Sequence, residues 1–352
     1  MKTRQKMLIA VFALLLAAVF ALTVLTACGS ESGSASENEK AAEKTIAGIG
    51  GGATAVPSDA THVTAESTLS QPGNYYVDTS FDGKITVGCE GVTLFLSGAD
   101  ITNGKKVIES TFDMTITLIG NNSISNDNTA GSNAIDCTGS LVINGNGSLS
   151  IDATKNGIKA KSISVIDATL DIDADKDGLH AEIDAYDEAT AAPSPSYDDG
   201  GFVYLKGAKV TASSAEDCIT ADTFVYIADS TVSVTAGGGA PQTVTEVSAG
   251  TAAGKGIKAG AIDWGADGTD IEWNGYLIVI NGGTLDINSN DDAIHSDSEI
   301  IIKSGTVAIS TGNKAINADG QLTVSGGKVT INKCYEDVDA GKSDISEGTI
   351  VK

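Results

Sequence analysis

Cations, aromatics, prolines and paired cysteines are all scarce in this chain. Lysine and arginine number 22 against 46 acids, giving a formal net charge of −24. A protein this acidic repels nucleic acid and anionic lipid, and it repels anionic polysaccharide unless a divalent cation intervenes. Of the five cysteines, Cys89, Cys137, Cys218 and Cys334 are scattered through apolar or small positions. No close pair points to a metal site or a disulfide framework, so they read as buried thiols. Prolines number 5 and aromatics are 5% of residues. No convincing amphipathic helix follows residue 45. What is plentiful is glycine, with 41 residues. Short β-branched runs alternate with Gly/Asn/Asp clusters throughout, which is an all-β pattern.

The N-terminus carries export logic. Lys2, Arg4 and Lys6 precede an apolar run from Met7 to Val24, and a small-residue cleavage site follows. That site, "LTAC", resembles the lipobox of bacterial lipoproteins, which implies a lipidated Cys28 and removal of residues 1–27. A plain signal peptide or a membrane anchor is the alternative. Removal deletes three cations and no acids, taking the charge from −24 to −27. Residues 28–60 then read as a flexible tether, because Gly29 to Lys44 is polar, Gly/Ser-rich and without apolar periodicity. The chain is expected outside the cytoplasmic membrane, attached through its N-terminal lipid, as a monomer that binds no nucleic acid.

Residues 61–352 are built on a repeat. "KKVIES", "SNAIDC", "KNGIKA", "KDGLHA", "EDCITA", "GKGIKA", "DDAIHS", "NKAINA" and "YEDVDA" align on Ile108, Ile135, Ile158, Leu179, Ile219, Ile257, Ile294, Ile316 and Val338. The unit is roughly 22 residues, with three longer intervals. Each unit holds this short strand, a second run such as "SISV", and a third such as "TLDID". Three short strands per repeat with Gly/Asn/Asp corners predict a right-handed, single-stranded parallel β-helix, whose neighbouring coils lie about 4.8 Å apart. A leucine-rich-repeat horseshoe needs a helical segment in each unit, and none is found.

Stacking turns sequence into columns. The residue after each inward apolar position points outward: Glu109, Asp136, Lys159, His180, Thr220, Lys258, His295, Asn317 and Asp339. The middle of that column is cationic or neutral, a plausible strip for a hydroxyl-rich or anionic ligand, although a solvated polar face would look the same. The preceding corners are acidic, with Asp175, Asp177, Asp217, Asn290, Asp291 and Asp292, and the third strands point Asp171 and Asp173 outward. Carboxylates at this spacing repel by roughly 1 kcal/mol per pair even in water, and Ca²⁺ would relieve that. Asx residues also cap turns with no metal at all.

Three insertions, 184–201, 237–254 and 261–276, account for the long intervals. The first and third leave after a first strand, so they should emerge on one edge. They carry Tyr186, Tyr197, Trp264, Trp273 and Tyr276, which could stack on sugars or only pin the loops to the scaffold. With Lys159, His180, Lys258 and His295 these are the candidate sugar contacts.

"GLHAE", "KGIKA", "GGTLDINSNDDAIHS" and the lipobox resemble bacterial surface proteins of the carbohydrate-binding domain-containing family, over roughly residues 60–345. The resemblance implies a right-handed parallel β-helix shaped like pectate lyases, bound calcium, and cellulose or acidic pectic sugars as ligands. The chain departs from that pattern at Asp337. Three functions compete. The first is a calcium-dependent carbohydrate-binding lipoprotein without a catalytic residue. The second is a polysaccharide lyase using Lys159 or Lys258 as base, and the third is a structural spacer or adhesin.

Overall fold

The computed structural model describes residues 35–183, 196–244, 254–260 and 273–352. Cys28, Tyr186 and Trp264 lie outside them. The described chain is all-β apart from one α-helix and a single 3-10 turn, and its 27 strands form one sheet in which every pairing is parallel. Strands pair with their counterparts one repeat later, without reversal.

Register follows the repeat. Ile108 pairs with Ile135, Ile135 with Ile158, Ile158 with Leu179, and the series continues to Ile316 and Val338. The structure adds Ile85 at the start. From Ile85 to Ile316 these side chains are wholly buried. Similar columns, such as Val203, Val225, Ile278, Ile300 and Leu322, run through the second strands. One repeat could not bury its apolar side alone. The stack merges them into one continuous core.

Part of the expected tether is ordered instead. Glu37–Ile46 is an α-helix, and the compact unit begins at Ser36 rather than at residue 61. Ser36 caps it, its Oγ accepting from the Glu39 N–H at 3.1 Å. Ala42 and Ile46 pack onto outward-pointing Tyr204, Tyr226, Val279 and Ile301 of the second strands. Only two apolar residues carry this face, too few for periodicity to announce it. Downstream, Gly51 and Gly52 pass against Asp167 and Asn144, where a Cβ on Gly52 would collide with the Asn144 side chain. Residues 36–52 therefore run back along the stack as a strap, from the strand of Glu299 to that of Asn144.

Candidate functional site

The first strands of successive repeats are only three residues long in the middle of the stack: Leu179–Ala181, Ile219–Ala221, Ile257–Ala259 and Ile294–Ser296. Their central residues point outward. The pairing register puts Lys159 beside His180, His180 beside Thr220, Thr220 beside Lys258, Lys258 beside His295, and His295 beside Asn317. The strip assembled from the sequence is therefore one contiguous row of side chains.

Both histidines in it are held the same way. His180 Nδ1 lies 2.7 Å from Asp177 Oδ2, and Nε2 lies 3.0 Å from Glu182 Oε2. His295 Nδ1 lies 3.0 Å from Asp292 Oδ2, and Nε2 lies 2.8 Å from Asp297 Oδ1. Burial alone would lower each imidazole pKa. The flanking carboxylates outweigh it and push both up to about 9, so both rings are cations at neutral pH. Glu182 is held down to about 2, mainly by its bond to His180 and further by Lys159 at 2.5 Å.

Glu182, Asp222 and Asp297 were missed from sequence. Each lies two residues beyond a column member and so on the same face, a period-2 signal legible in "LHAE", "ITAD" and "IHSD". Asp222 is buried enough to have its pKa pushed up to about 6, although its Oδ2 accepts from the Ile183 N–H at 2.8 Å. At the equivalent position beside Lys258 stands Gly260, and a Cβ there would collide with the Asp297 carboxylate. Glycine thus leaves room for the Asp297 carboxylate. Lys258 itself makes no side-chain hydrogen bond or ion pair among the described residues, whereas Lys159 is bound by Glu182. Lys258 is therefore the strip's available cation.

The acidic corner is first of all a ladder. Asn133 Oδ1 accepts from the Asn156 N–H at 3.3 Å, and Asn156 Oδ1 from Asp177 N–H at 3.2 Å. Asp177 Oδ1 accepts from Asp217 N–H at 3.0 Å, and Asp217 Oδ1 from Lys255 N–H at 2.7 Å. Further on, Asp292 Oδ1 accepts from Lys314 N–H at 3.1 Å. Each Asx side chain satisfies a turn N–H of the next repeat, the role Asx residues play in turns elsewhere. Asp291 pairs with Lys255 at 2.6 Å and accepts from Asn313 at 2.9 Å. Asp177 and Asp292 have both oxygens engaged. Asp171, Asp173 and Asp175 are exposed, and their carboxylates make no hydrogen bond or ion pair within the described residues. Asp171 and Asp173 line a shallow groove on the third strands with Ser150, Asp152, Thr211 and Ser213. Asn290 is half-buried at the corner.

The described ends of the two aromatic insertions meet on one edge, but their rings do not form an open platform. Tyr197 and Tyr276 are 7% and 5% exposed. Tyr197 packs edge-on against Phe224 and Trp273, Trp273 packs against Tyr276, and the Tyr197 hydroxyl donates to the Gly275 carbonyl. As sugar contacts Tyr197 and Tyr276 are corrected: burying their rings pins the loop ends, leaving no face for a ligand. Trp273 is partly exposed at the rim.

A family model described as carbohydrate-binding domain-containing protein matches residues 64–315 and again 261–351. No curated protein sequence matches the chain. One solved structure, titled a polysaccharide lyase-like protein from C. thermocellum in a gadolinium derivative, is similar at 20% identity and a TM-score of 0.39, covering 84% of this chain and 94% of that one.

Proposed function

Since the chain belongs to the carbohydrate-binding domain-containing protein family, we propose that it holds a polysaccharide along the strip Lys159, His180, Thr220, Lys258 and His295 without cleaving it. The observation that carries this is the contiguous row Lys159, His180, Thr220, Lys258 and His295 on an otherwise acidic molecule, with Lys258 making no side-chain hydrogen bond or ion pair among the described residues. Sugar hydroxyls and carboxylates need donors that stay in place. Two histidines clamped between carboxylates have both N–H groups committed, so they fix the shape and local charge of the strip and leave hydrogen-bond donation to Lys258 and Thr220. Among the described candidate aromatics, Trp273 at the rim keeps a partly exposed ring that can stack on a sugar.

The finer reading is a right-handed parallel β-helix, lipidated at Cys28 and held at the cell surface. Continuous parallel register supports the stack, and crossover chirality supports its hand. Calcium, where it takes part, would sit on outward Asp171, Asp173 and Asp175, since the corner carboxylates are committed. That places the cation on a different face from Lys258. A lyase needs the two together, because the cation neutralises the uronate whose proton the amine removes. The separation favours binding over cleavage.

The test uses residues 36–352, so that the strap helix is kept. The protein is incubated with cellulose and with polygalacturonate, with and without Ca²⁺, following co-sedimentation and the absorbance of unsaturated product. Retention without product is the expected outcome. Product formation would make the protein a lyase, and no retention on either polymer would leave it a spacer.

A further inference from the structure

We propose that the strap helix Glu37–Ile46 is a positioning element of the sugar site: Asn38 holds the segment that carries Trp273, so that strap docking and polysaccharide binding strengthen one another. The proposal rests on reading the first-strand strip and Trp273 as the place where the polysaccharide lies.

Trp273 stands on a short turn whose backbone carbonyls are held from several sides. The Asn274 carbonyl accepts from Asn38 Nδ2 of the strap at 3.0 Å and from Ser298 Oγ at 2.9 Å. Ser298 follows Asp297, the carboxylate that clamps His295, so this second donor comes from the strip's own repeat. The Gly275 carbonyl accepts from the Tyr197 hydroxyl, at the described end of the other aromatic insertion. The Tyr276 carbonyl accepts from the Glu299 N–H at 2.9 Å. The indole lies over Gly275, where a Cβ would collide with it, and edge-on to Tyr197 and Tyr276. The turn beneath the ring therefore sets its orientation.

The strap closes this arrangement. Ser36 caps the helix while its Oγ donates to Glu299 Oε2 at 2.9 Å, which brings Asn38 Nδ2 within 3.4 Å of the same carboxylate oxygen. Asn38, Asn274, Tyr276 and Glu299 thereby form a closed ring of hydrogen bonds along the backbone of the turn. Lower on the helix, Ala42 and Ile46 share one apolar cluster with Tyr197 and Phe224, and Trp273 packs against that cluster.

Coupling needs a second state of the strap. A helix of 10 residues is marginal in water by itself, and this one buries only Glu39, Ala42 and Ile46. Gly48, Gly50, Gly51 and Gly52 follow it, a stretch that bends freely once released. The helix therefore forms on docking and melts on release. On release the Asn274 carbonyl loses Asn38 as a donor, and the ligand itself must then order Trp273. Ordering side chains and loops on binding costs affinity. By linkage, a ligand that needs the ordered ring favours the docked strap by the same factor.

The test uses residues 28–352 with Cys28→Ala, in a Trp264→Phe background that leaves Trp273 as the sole tryptophan. Every comparison is made within that background, with polygalacturonate and cellohexaose as probes. Asn38→Ala should open Trp273 to acrylamide quenching and weaken binding about fivefold, at an unchanged melting temperature. Asn38→Gln keeps the amide donor and should restore most of both. In the parent, saturating sugar should slow amide hydrogen exchange over residues 40–47 by about the same factor. A lower melting temperature with quenching and affinity unchanged would make Asn38 a structural contact only and overturn the proposal. Strap exchange indifferent to sugar would overturn it too. Trp273→Ala tells the two failures apart. If it weakens binding while Asn38→Ala does not, the positioning role falls and the sugar site stands. If it binds as its parent does, or the parent binds neither probe, the reading of the site falls and takes the proposal with it.

Discussion

His180 and His295 set the molecule's response to pH. A histidine pKa raised from 6.5 to about 9 stabilises the fold while the ring is charged. That contribution is complete below 6.5 and lost as pH rises through 9. Glu182, lowered from 4.5 to about 2, contributes above 4.5 and loses its contribution as pH falls toward 2. Asp222 acts in the opposite sense, because burial makes it keep its proton. It costs stability as pH rises from 3.8 to about 6, and the cost is constant above that. The unfolding midpoint should therefore fall between pH 6.5 and 9, each histidine accounting for on the order of 2 kcal/mol. Thermal unfolding of a His180→Gln, His295→Gln double variant should show that slope gone. An unchanged slope would mean the histidine cages do not hold the proton.

At the scale of the element, the corner ladder accounts for acidity that metal chemistry would otherwise explain. Asp217 receives a turn N–H and is half-buried, and desolvation raises its pKa. Asp217→Ala should cost about 1–2 kcal/mol in denaturant unfolding, because it orphans the Lys255 N–H. Asp217→Asn keeps the acceptor and removes a partly desolvated charge, so it should be neutral or stabilising, with or without Ca²⁺. Loss of stability in the asparagine variant only when Ca²⁺ is present would restore the metal reading. The repeat was readable because inward Ile, Leu and Val recur with outward residues at period 2, which fixes register and therefore the column from Glu109 to Asp339. Glu182, Asp222 and Asp297 obeyed the same period and could have been placed with it. The helix at Glu37–Ile46 could not, since Ala42 and Ile46 gain their burial from a sheet face that exists only after the stack forms. Tyr197 and Tyr276 were misassigned for a related reason. Sequence locates an aromatic on a loop, but whether its ring faces out or packs on Phe224 and Trp273 is decided by the neighbouring repeat.

Across the whole molecule, parallel stacking divides the surface into faces with separate tasks. The first strands present clamped cations, the third strands an acidic, hydroxyl-rich groove, and the second strands an apolar band closed by the strap. The first-strand strip, and not the groove, is expected to hold the polysaccharide. Binding isotherms of residues 36–352 on the polymer that retains the protein test it directly, comparing Lys258→Ala with a double Asp171→Ala, Asp173→Ala variant on the groove. Loss of the Lys258 cation should weaken binding by about tenfold, ~1.4 kcal/mol, at an unchanged melting temperature, while the groove variant binds as the parent does in the absence of Ca²⁺. Full affinity in Lys258→Ala together with lost affinity in the groove variant would contradict it.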